Sequence, residues 1–386
     1  MTELTDLSGP FNPELAFDHL SKEFLFKLSH SWQWSWLQLD AAWNDEVRKR
    51  FGDRVASGCD VEMWQRCGDR CNTRYARLAE IPLKSAVDSL KVVQLPLDNS
   101  TGAIYPTECD IKDENHVILT VVRCPSLEWC ERNAPDRIVP MCQVNEIQVN
   151  RSYVANPNVQ VSATKLPPRS GPDDIACQWE FKVEVPPGTR VRSKAEVVDE
   201  TTDIPELDDL SGPYYPHLKH SNFSKSFLVK LRFAYQYAWL VMNEGYYHAV
   251  RSRFGSQPAD ECEMSAWIRT AERVNKRYAA IANTKLNTVL DSLKILQLCM
   301  DSTMGLFLAD YEIRDPNHAV MSITKSRMPD YLEGARPERT PPMYHQGGTP
   351  VMEKYLVNPR IKVTPLRLPP RNAADDVDCQ WELSID

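Results

Sequence analysis

The chain states the same pattern twice. Asp6-Leu7-Ser8-Gly9-Pro10 returns as Asp209-Leu210-Ser211-Gly212-Pro213, and Asp88-Ser89-Leu90-Lys91 as Asp291-Ser292-Leu293-Lys294. Near the end of each copy, Cys177-Gln178-Trp179-Glu180 returns as Cys379-Gln380-Trp381-Glu382. The offset is 203 residues up to about residue 105 and 202 beyond it. Solenoid units repeat every 20–50 residues or so, so a period this long means that a whole domain was duplicated. The expected organisation is a first repeat over 1–185, a linker over 186–208 rich in proline and charge, and a second repeat over 209–386. Two such domains are expected to be related by a pseudo-twofold axis. The protein is then either a monomer that imitates a dimer or a homodimer.

Within each copy the hydrophobic period changes once. Phe24, Leu25, Leu28, Trp32, Trp36, Leu39 and Trp43 fall at three- and four-residue steps and predict a long helix. Phe51-Gly52 ends it, with Arg48, Lys49 and Arg50 in the last turn, where cations suit the helix dipole. A second helix is expected through Trp64 and Tyr75, and a third from Leu83 to about Leu95, closed by Pro96. Strands are expected over 104–111 and 116–122, joined by Lys-Asp-Glu-Asn, and again over 159–165 and 177–183. Short helices are expected over 124–133 and 144–154. This grouping predicts an α+β fold in each half, a helical layer on a small antiparallel sheet. It argues against a doubly wound parallel sheet, since no glycine-rich phosphate loop follows a strand.

Composition narrows the function. Hydrophobic residues make up 42% and charged residues 25% of the chain, as in ordinary globular proteins. The net charge of −8 argues against a nucleic-acid partner. No apolar run reaches the roughly 18–20 residues of a membrane span, and no secretory signal is visible at Met1. The expectation is a cytoplasmic protein with no membrane partner, its 11 cysteines mostly reduced.

The candidate site residues come from two clusters. The first helix carries Trp32, Trp36 and Trp43 on one face, with Asp40 a turn past Trp36; its counterpart carries Trp239 and Tyr246. Tryptophan gives way to tyrosine at three matching positions, Trp32/Tyr235, Trp34/Tyr237 and Trp43/Tyr246. That exchange points to an aromatic-lined pocket, because a buried tyrosine hydroxyl needs a polar partner. The alternative is that these aromatics are core anchors. Trp32, Trp36, Trp43, Trp239, Tyr246 and Tyr344 are accordingly expected to contact a small-molecule ligand, with Asp40 supplying a polar group. The second cluster is Cys124, Cys130 and Cys142, replaced in the second copy by Ser326, Leu332 and Tyr344. Cys124 and Cys142 are candidate nucleophiles in a single working site in the first half; the alternatives are buried apolar thiols, or a working site in the second half, whose Tyr246, Tyr247, His248, Tyr344 and His345 offer more acid–base groups. His116, matched by His318, is a candidate general base. Asp88 and Asp291 are either site carboxylates or i,i+3 partners of Lys91 and Lys294. No cofactor is expected and no metal is assigned; a metal site on Cys124, Cys130 and Cys142 stays an open alternative, although their spacing is not the paired Cys-x-x-Cys of a structural zinc site.

Arg50-Phe51-Gly52 and Arg253-Phe254-Gly255, Arg123-Cys124 leading to Cys130, Pro140-Met141-Cys142, Asn358-Pro359-Arg360-Ile361-Lys362 and the terminal Cys-Gln-Trp-Glu together carry a resemblance. The chain resembles a bacterial domain family related to the L-2-amino-thiazoline-4-carboxylate hydrolases, and small-molecule-binding domains of the 4-vinyl reductase type, here in tandem. The resemblance implies an α+β ligand-binding domain and, in one branch, hydrolysis of a small sulfur heterocycle. It also implies cysteines just before the Pro-Pro pairs, where this chain has Thr164 and Leu166, or Leu366 and Leu368. The expected function is an enzyme of hydrolase or lyase type acting on a small aromatic or heterocyclic molecule. The alternative is a non-catalytic small-molecule-binding or sensing protein.

Overall fold

The computed structural model describes residues 3–97, 104–184, 196–198, 202–301, 304–326, 348–368 and 377–385. The helices are α1 (Lys22–Phe51), α2 (Asp53–Cys67), α3 (Thr73–Leu78), α4 (Ala86–Val93), α5 (Pro125–Asn133), α6 (Glu146–Val149), α7 (Lys225–Phe254), α8 (Ser256–Ala282), α9 (Val289–Leu298) and α10 (Thr349–Tyr355). The strands are β1 (Thr107–Asp113), β2 (His116–Val121), β3 (Val159–Lys165), β4 (Cys177–Val183), β5 (Phe307–Asp315), β6 (His318–Ser326), β7 (Lys362–Arg367) and β8 (Cys379–Ser384). They form two separate four-stranded antiparallel sheets of the same order, β1-β2-β4-β3 and β5-β6-β8-β7. The fold is α+β in both copies. No helix among the described residues is long and apolar enough to cross a membrane.

The long helix forms as its sequence dictates. Ser21 caps it by accepting from the Phe24 amide at 3.1 Å, and Gly52 takes the left-handed turn after Phe51 at φ +84°. The segment expected to be one helix over 144–154 is instead a π-helical turn (Val139–Asn145), α6 and a 3-10 turn (Asn150–Tyr153). Its last turn lies against a neighbouring backbone. A Cβ on Gly68 would sit 2.1 Å from the Ser152 carbonyl oxygen, so two backbones meet there, and the Asn72 side-chain amide donates to that same oxygen at 2.6 Å.

The terminal Cys-Gln-Trp-Glu motif occupies the central strand of each sheet. Strand periodicity sends Trp179 and Phe181 into a core built against Ala86, Val87 and Leu90 of α4. The alternate residues face the other way, where Gln178 donates to Thr120 Oγ1 at 2.9 Å and Glu180 pairs with His116 at 2.9 Å. The second sheet repeats this with Gln380 and Ser322 at 2.8 Å, and with Glu382 and His318 at 2.8 Å.

The compact units do not follow the order of the repeats along the chain. One unit is Asp53–Ala234, and the other is Met1–Gly52 together with Tyr235–Asp386. The opening segment of each copy is therefore housed with the sheet of the other. In the Asp53–Ala234 unit, Lys91 Nζ donates to the Gly212 carbonyl at 2.5 Å, Gln94 Nε2 to the Tyr215 carbonyl at 2.8 Å, and the Leu210 amide to the Ala79 carbonyl at 2.9 Å. In the other unit Lys294 donates to Gly9 at 2.6 Å, Gln297 to Asn12 at 2.8 Å, and Leu7 to Ala282 at 2.9 Å. Two repeated motifs, Asp-Leu-Ser-Gly-Pro and Asp-Ser-Leu-Lys, are thus the two sides of one clasp. Asp88 and Asp291 belong to helix caps. Asp88 accepts from the Lys84 amide at 2.8 Å and donates its own amide to Ser85 Oγ at 3.1 Å. Asp291 does the same with Asn287 and Thr288, both at 3.1 Å. The i,i+3 partners Lys91 and Lys294 lie 3.6 and 3.5 Å from these carboxylates.

Lys91 and Lys294 are buried, so removing either ammonium takes away a charge-assisted bond to a glycine carbonyl and leaves the capping carboxylate without its cation. Lys91→Ala and Lys294→Ala are each expected to lower stability by about 2–4 kcal/mol. Lys27→Ala, which removes an exposed pair with Glu23, is expected to cost under about 1 kcal/mol. Urea denaturation of the three variants measures the difference, and equal midpoints would show that the clasp does not hold the fold.

Candidate functional site

A cavity of about 240 Å³ opens in the Asp53–Ala234 unit. Three local features position it. The capped helix α4 presents Leu90, Val93 and Gln94 toward it, and the β1–β2 hairpin adds Pro106, Thr107 and Leu119. The segment after the Ser-Gly-Pro clasp closes it with Tyr214 and the run from Pro216 to Lys219. Tyr214 is fixed from both sides. Its amide donates to Glu196 at 2.8 Å, and its hydroxyl meets Cys109 Sγ at 3.1 Å. Burial raises the pKa of both partners, Cys109 to about 11, so both are protonated at neutral pH. The lining mixes apolar side chains with a tyrosine, a glutamine, a histidine and a lysine, and holds no carboxylate. The cavity's volume lies below the range of about 300–1,000 Å³ usual for small-molecule sites.

The aromatic residues expected from the sequence lie in the other unit. Trp32, Trp36, Trp43, Trp239 and Tyr246 are all buried there. Trp32 Nε1 donates to the Leu298 carbonyl at 2.8 Å. Trp43 stacks on Tyr246 with ring centroids 5.5 Å apart, and the Tyr246 hydroxyl donates to Asp40 at 2.8 Å. Asn243 gathers the surrounding polar atoms. Its Oδ1 accepts from Trp43 Nε1 at 2.9 Å and from Trp267 Nε1 at 2.8 Å, while its Nδ2 donates to Glu263 at 2.5 Å. The tyrosine-for-tryptophan exchange at Tyr246 thus has the polar partner it requires, and that partner is Asp40 of the protein itself. Tyr344 lies outside the described residues.

The thiols gather where the sequence cluster suggests, in the Asp53–Ala234 unit. Cys124 caps α5, accepting from the Leu127 amide at 3.4 Å, and Cys130 and Cys142 pack with Leu127, Ile138 and Ala176. Cys142 sits in the π-helical turn, a geometry often found at functional sites. Burial raises Cys124 to about 11 and Cys177 to about 12; it raises Cys142 as well, and the Glu146 charge adds to the effect in all three. Each is a protonated thiol at neutral pH and a poor nucleophile. Among the described residues, no three His, Cys, Asp or Glu side chains are set to hold a metal ion. His116 is not beside them. It lies at the opposite end of β2 from Val121, the residue paired with Cys177. There Lys182 and His116 hold the Glu180 carboxyl below its usual range. The four candidate catalytic residues therefore fall in three places: Cys124 with Cys142, His116 alone, and Asp40 in the other unit.

Sequence reasoning passed over a further polar cluster. Ser35, Asn275, Tyr278, Cys299, Asp301 and Tyr355 converge from α1, α8, α10 and the turn after α9. Ser35 Oγ lies 2.5 Å from the Tyr278 hydroxyl, and Asn275 Nδ2 donates to the Tyr355 carbonyl at 3.0 Å. Asp301 is only half-buried as a residue, but its carboxyl is enclosed by these side chains. Burial raises it to about 6, against the Tyr355 hydroxyl, which donates to it. A signal was present in the sequence. Asn275, Tyr278, Asp301 and Tyr355 match Asn72, Tyr75, Asp98 and Tyr153 of the first copy.

Glu263 is the most strongly displaced carboxyl of this unit. Burial lifts it to about 8 from an ordinary value of 4.5, despite the hydrogen bond from Asn243. The folded protein therefore keeps a proton that the unfolded chain releases. Its contribution to stability is complete below pH 4.5 and declines as pH rises to about 8, at about 1.4 kcal/mol per pH unit. Glu263→Gln keeps the acceptor for Asn243 and removes the titration. It is expected to match wild type near pH 4.5 and to be more stable by several kcal/mol at pH 8, as read by urea denaturation. Identical pH slopes for the two proteins would overturn this reading.

No family model matches this chain, and no curated protein or solved structure matches it either.

Proposed function

We propose that this protein binds a small organic molecule, without transforming it, in the cavity between α4, the β1–β2 hairpin and the Tyr214–Lys219 segment. The observation that carries this reading is the cavity itself, whose lining combines the apolar Leu90, Val93 and Leu119 with the polar Gln94, Tyr214, His217 and Lys219. The groups expected to do chemistry support binding over turnover. His116 is paired with Glu180 and Asp40 with Tyr246, while Cys124 and Cys142 stay protonated.

One observation favours a second reading, an acid–base enzyme of hydrolase or lyase type acting on a small aromatic or heterocyclic molecule. Asp301 titrates near 6 beside tyrosine hydroxyls, a value suited to proton transfer at neutral pH. Product formation detected by mass spectrometry, and abolished in Asp301→Asn, would favour it over binding alone.

Thr107 lines the cavity yet is exposed on β1. Thr107→Trp is therefore expected to fill the cavity without disturbing the core. It should leave the melting temperature of the free protein unchanged and weaken binding of small aromatic ligands by at least about tenfold, a loss of about 1.4 kcal/mol. Calorimetric titration of both proteins measures this, and undiminished affinity in the variant would place the ligand elsewhere.

A further inference from the structure

The two copies keep the same scaffold around this cavity and change the side chains that face it. Gln94 and Gln297 hold the backbones of Tyr215 and Asn12 with the same bond, and Lys91 and Lys294 hold Gly212 and Gly9. Pro216 and Leu218 match Pro13 and Leu15. The cavity-facing positions between them differ. Tyr214, His217 and Lys219 correspond to Phe11, Glu14 and Ala16; Cys109, the partner of the Tyr214 hydroxyl rather than a lining residue, corresponds to Tyr311. In the second sheet's unit Phe11 packs edge-on against Tyr311, with centroids 5.1 Å apart. Where the first sheet's unit pairs a hydroxyl with a thiol, the other closes two rings on each other.

The charge change is directional. The Asp53–Ala234 unit has a lysine and a histidine at the cavity edge and no acid in the lining, within a chain of net charge −8. The corresponding positions in the other unit have lost both and gained a glutamate. Neutral apolar recognition gives no reason for such a change. An anionic ligand does, because an ammonium and an imidazole at the mouth favour a carboxylate while the Leu90, Val93 and Leu119 wall takes the apolar body.

We infer that the ligand is a small carboxylic acid with an aromatic or aliphatic body, its carboxylate held by Lys219 and His217 and its body in the apolar wall, and that only the Asp53–Ala234 unit binds it this way. This rests on the binding reading above. The test titrates the full chain with matched pairs of acid and primary amide: benzoate and benzamide, phenylacetate and phenylacetamide, indole-3-acetate and indole-3-acetamide. The acid of a pair is expected to bind about tenfold more tightly than its amide. Lys219→Gln with His217→Gln should erase that difference, weakening the acid by about tenfold relative to its amide. Both residues are exposed, so the variant is expected to fold, and its melting temperature checks this. Acid and amide binding equally well to wild type would overturn the anion assignment and leave the cavity reading standing. No binding by any member of the three pairs would overturn the cavity reading itself.

Discussion

The fold of each unit hangs on one charge-assisted hydrogen bond, from a buried lysine of the third helix of a copy to the glycine carbonyl of the other copy's Ser-Gly-Pro. A desolvated ammonium needs its donors satisfied, and the carbonyl together with the capping aspartate one turn back supplies them. The bond fixes where the lead-in segment runs. It thereby sets the strand-like contact of Tyr214 with the chain at Val197, the glutamine bond one turn further on, and the wall of the cavity. A Cβ at Gly9 or Gly212 would meet nothing within 4 Å, so these positions contribute a carbonyl rather than room.

The duplication then allowed the two units to diverge around a fixed frame. Cap, clasp, sheet order and the histidine–glutamate pair behind each sheet are the same in both. What differs is the set of side chains packed around that frame. The Asp53–Ala234 unit holds the thiol cluster and a basic-edged cavity. The other holds a dense aromatic and polar interior in which Asn243, Glu263 and Asp301 are kept among tryptophan and tyrosine. Those carboxyls carry raised pKa values because burial penalises their charge more than their hydrogen-bond donors relieve it.

Much of the architecture could be read along the chain. Strands β3 and β4 fall on the expected residues, and α1 ends at the expected glycine. These signals are local: alternation, three-and-four spacing and caps each act within a few residues. The break of the 144–154 segment was not legible in this way, and its last turn packs on the backbone at Gly68, far off in sequence. The site was less legible than the fold. Aromatic stripes and cysteine clusters stand out in a sequence but describe cores as readily as pockets. His217 and Lys219 stand out only when set against Glu14 and Ala16.

The sequence by itself determined that there are two copies, that each is a helical layer with a small antiparallel sheet, and which motifs the copies share. Which lead-in segment meets which sheet was decided by tertiary structure alone. Both copies carry the same lysine and the same Ser-Gly-Pro, so Lys91 has two chemically equivalent glycine carbonyls to choose between, Gly9 and Gly212. Complementarity of the motifs cannot separate them. Only the packing of the whole chain selects Gly212, and with it puts Tyr214, His217 and Lys219 beside Leu90 and Leu119 rather than in the other unit.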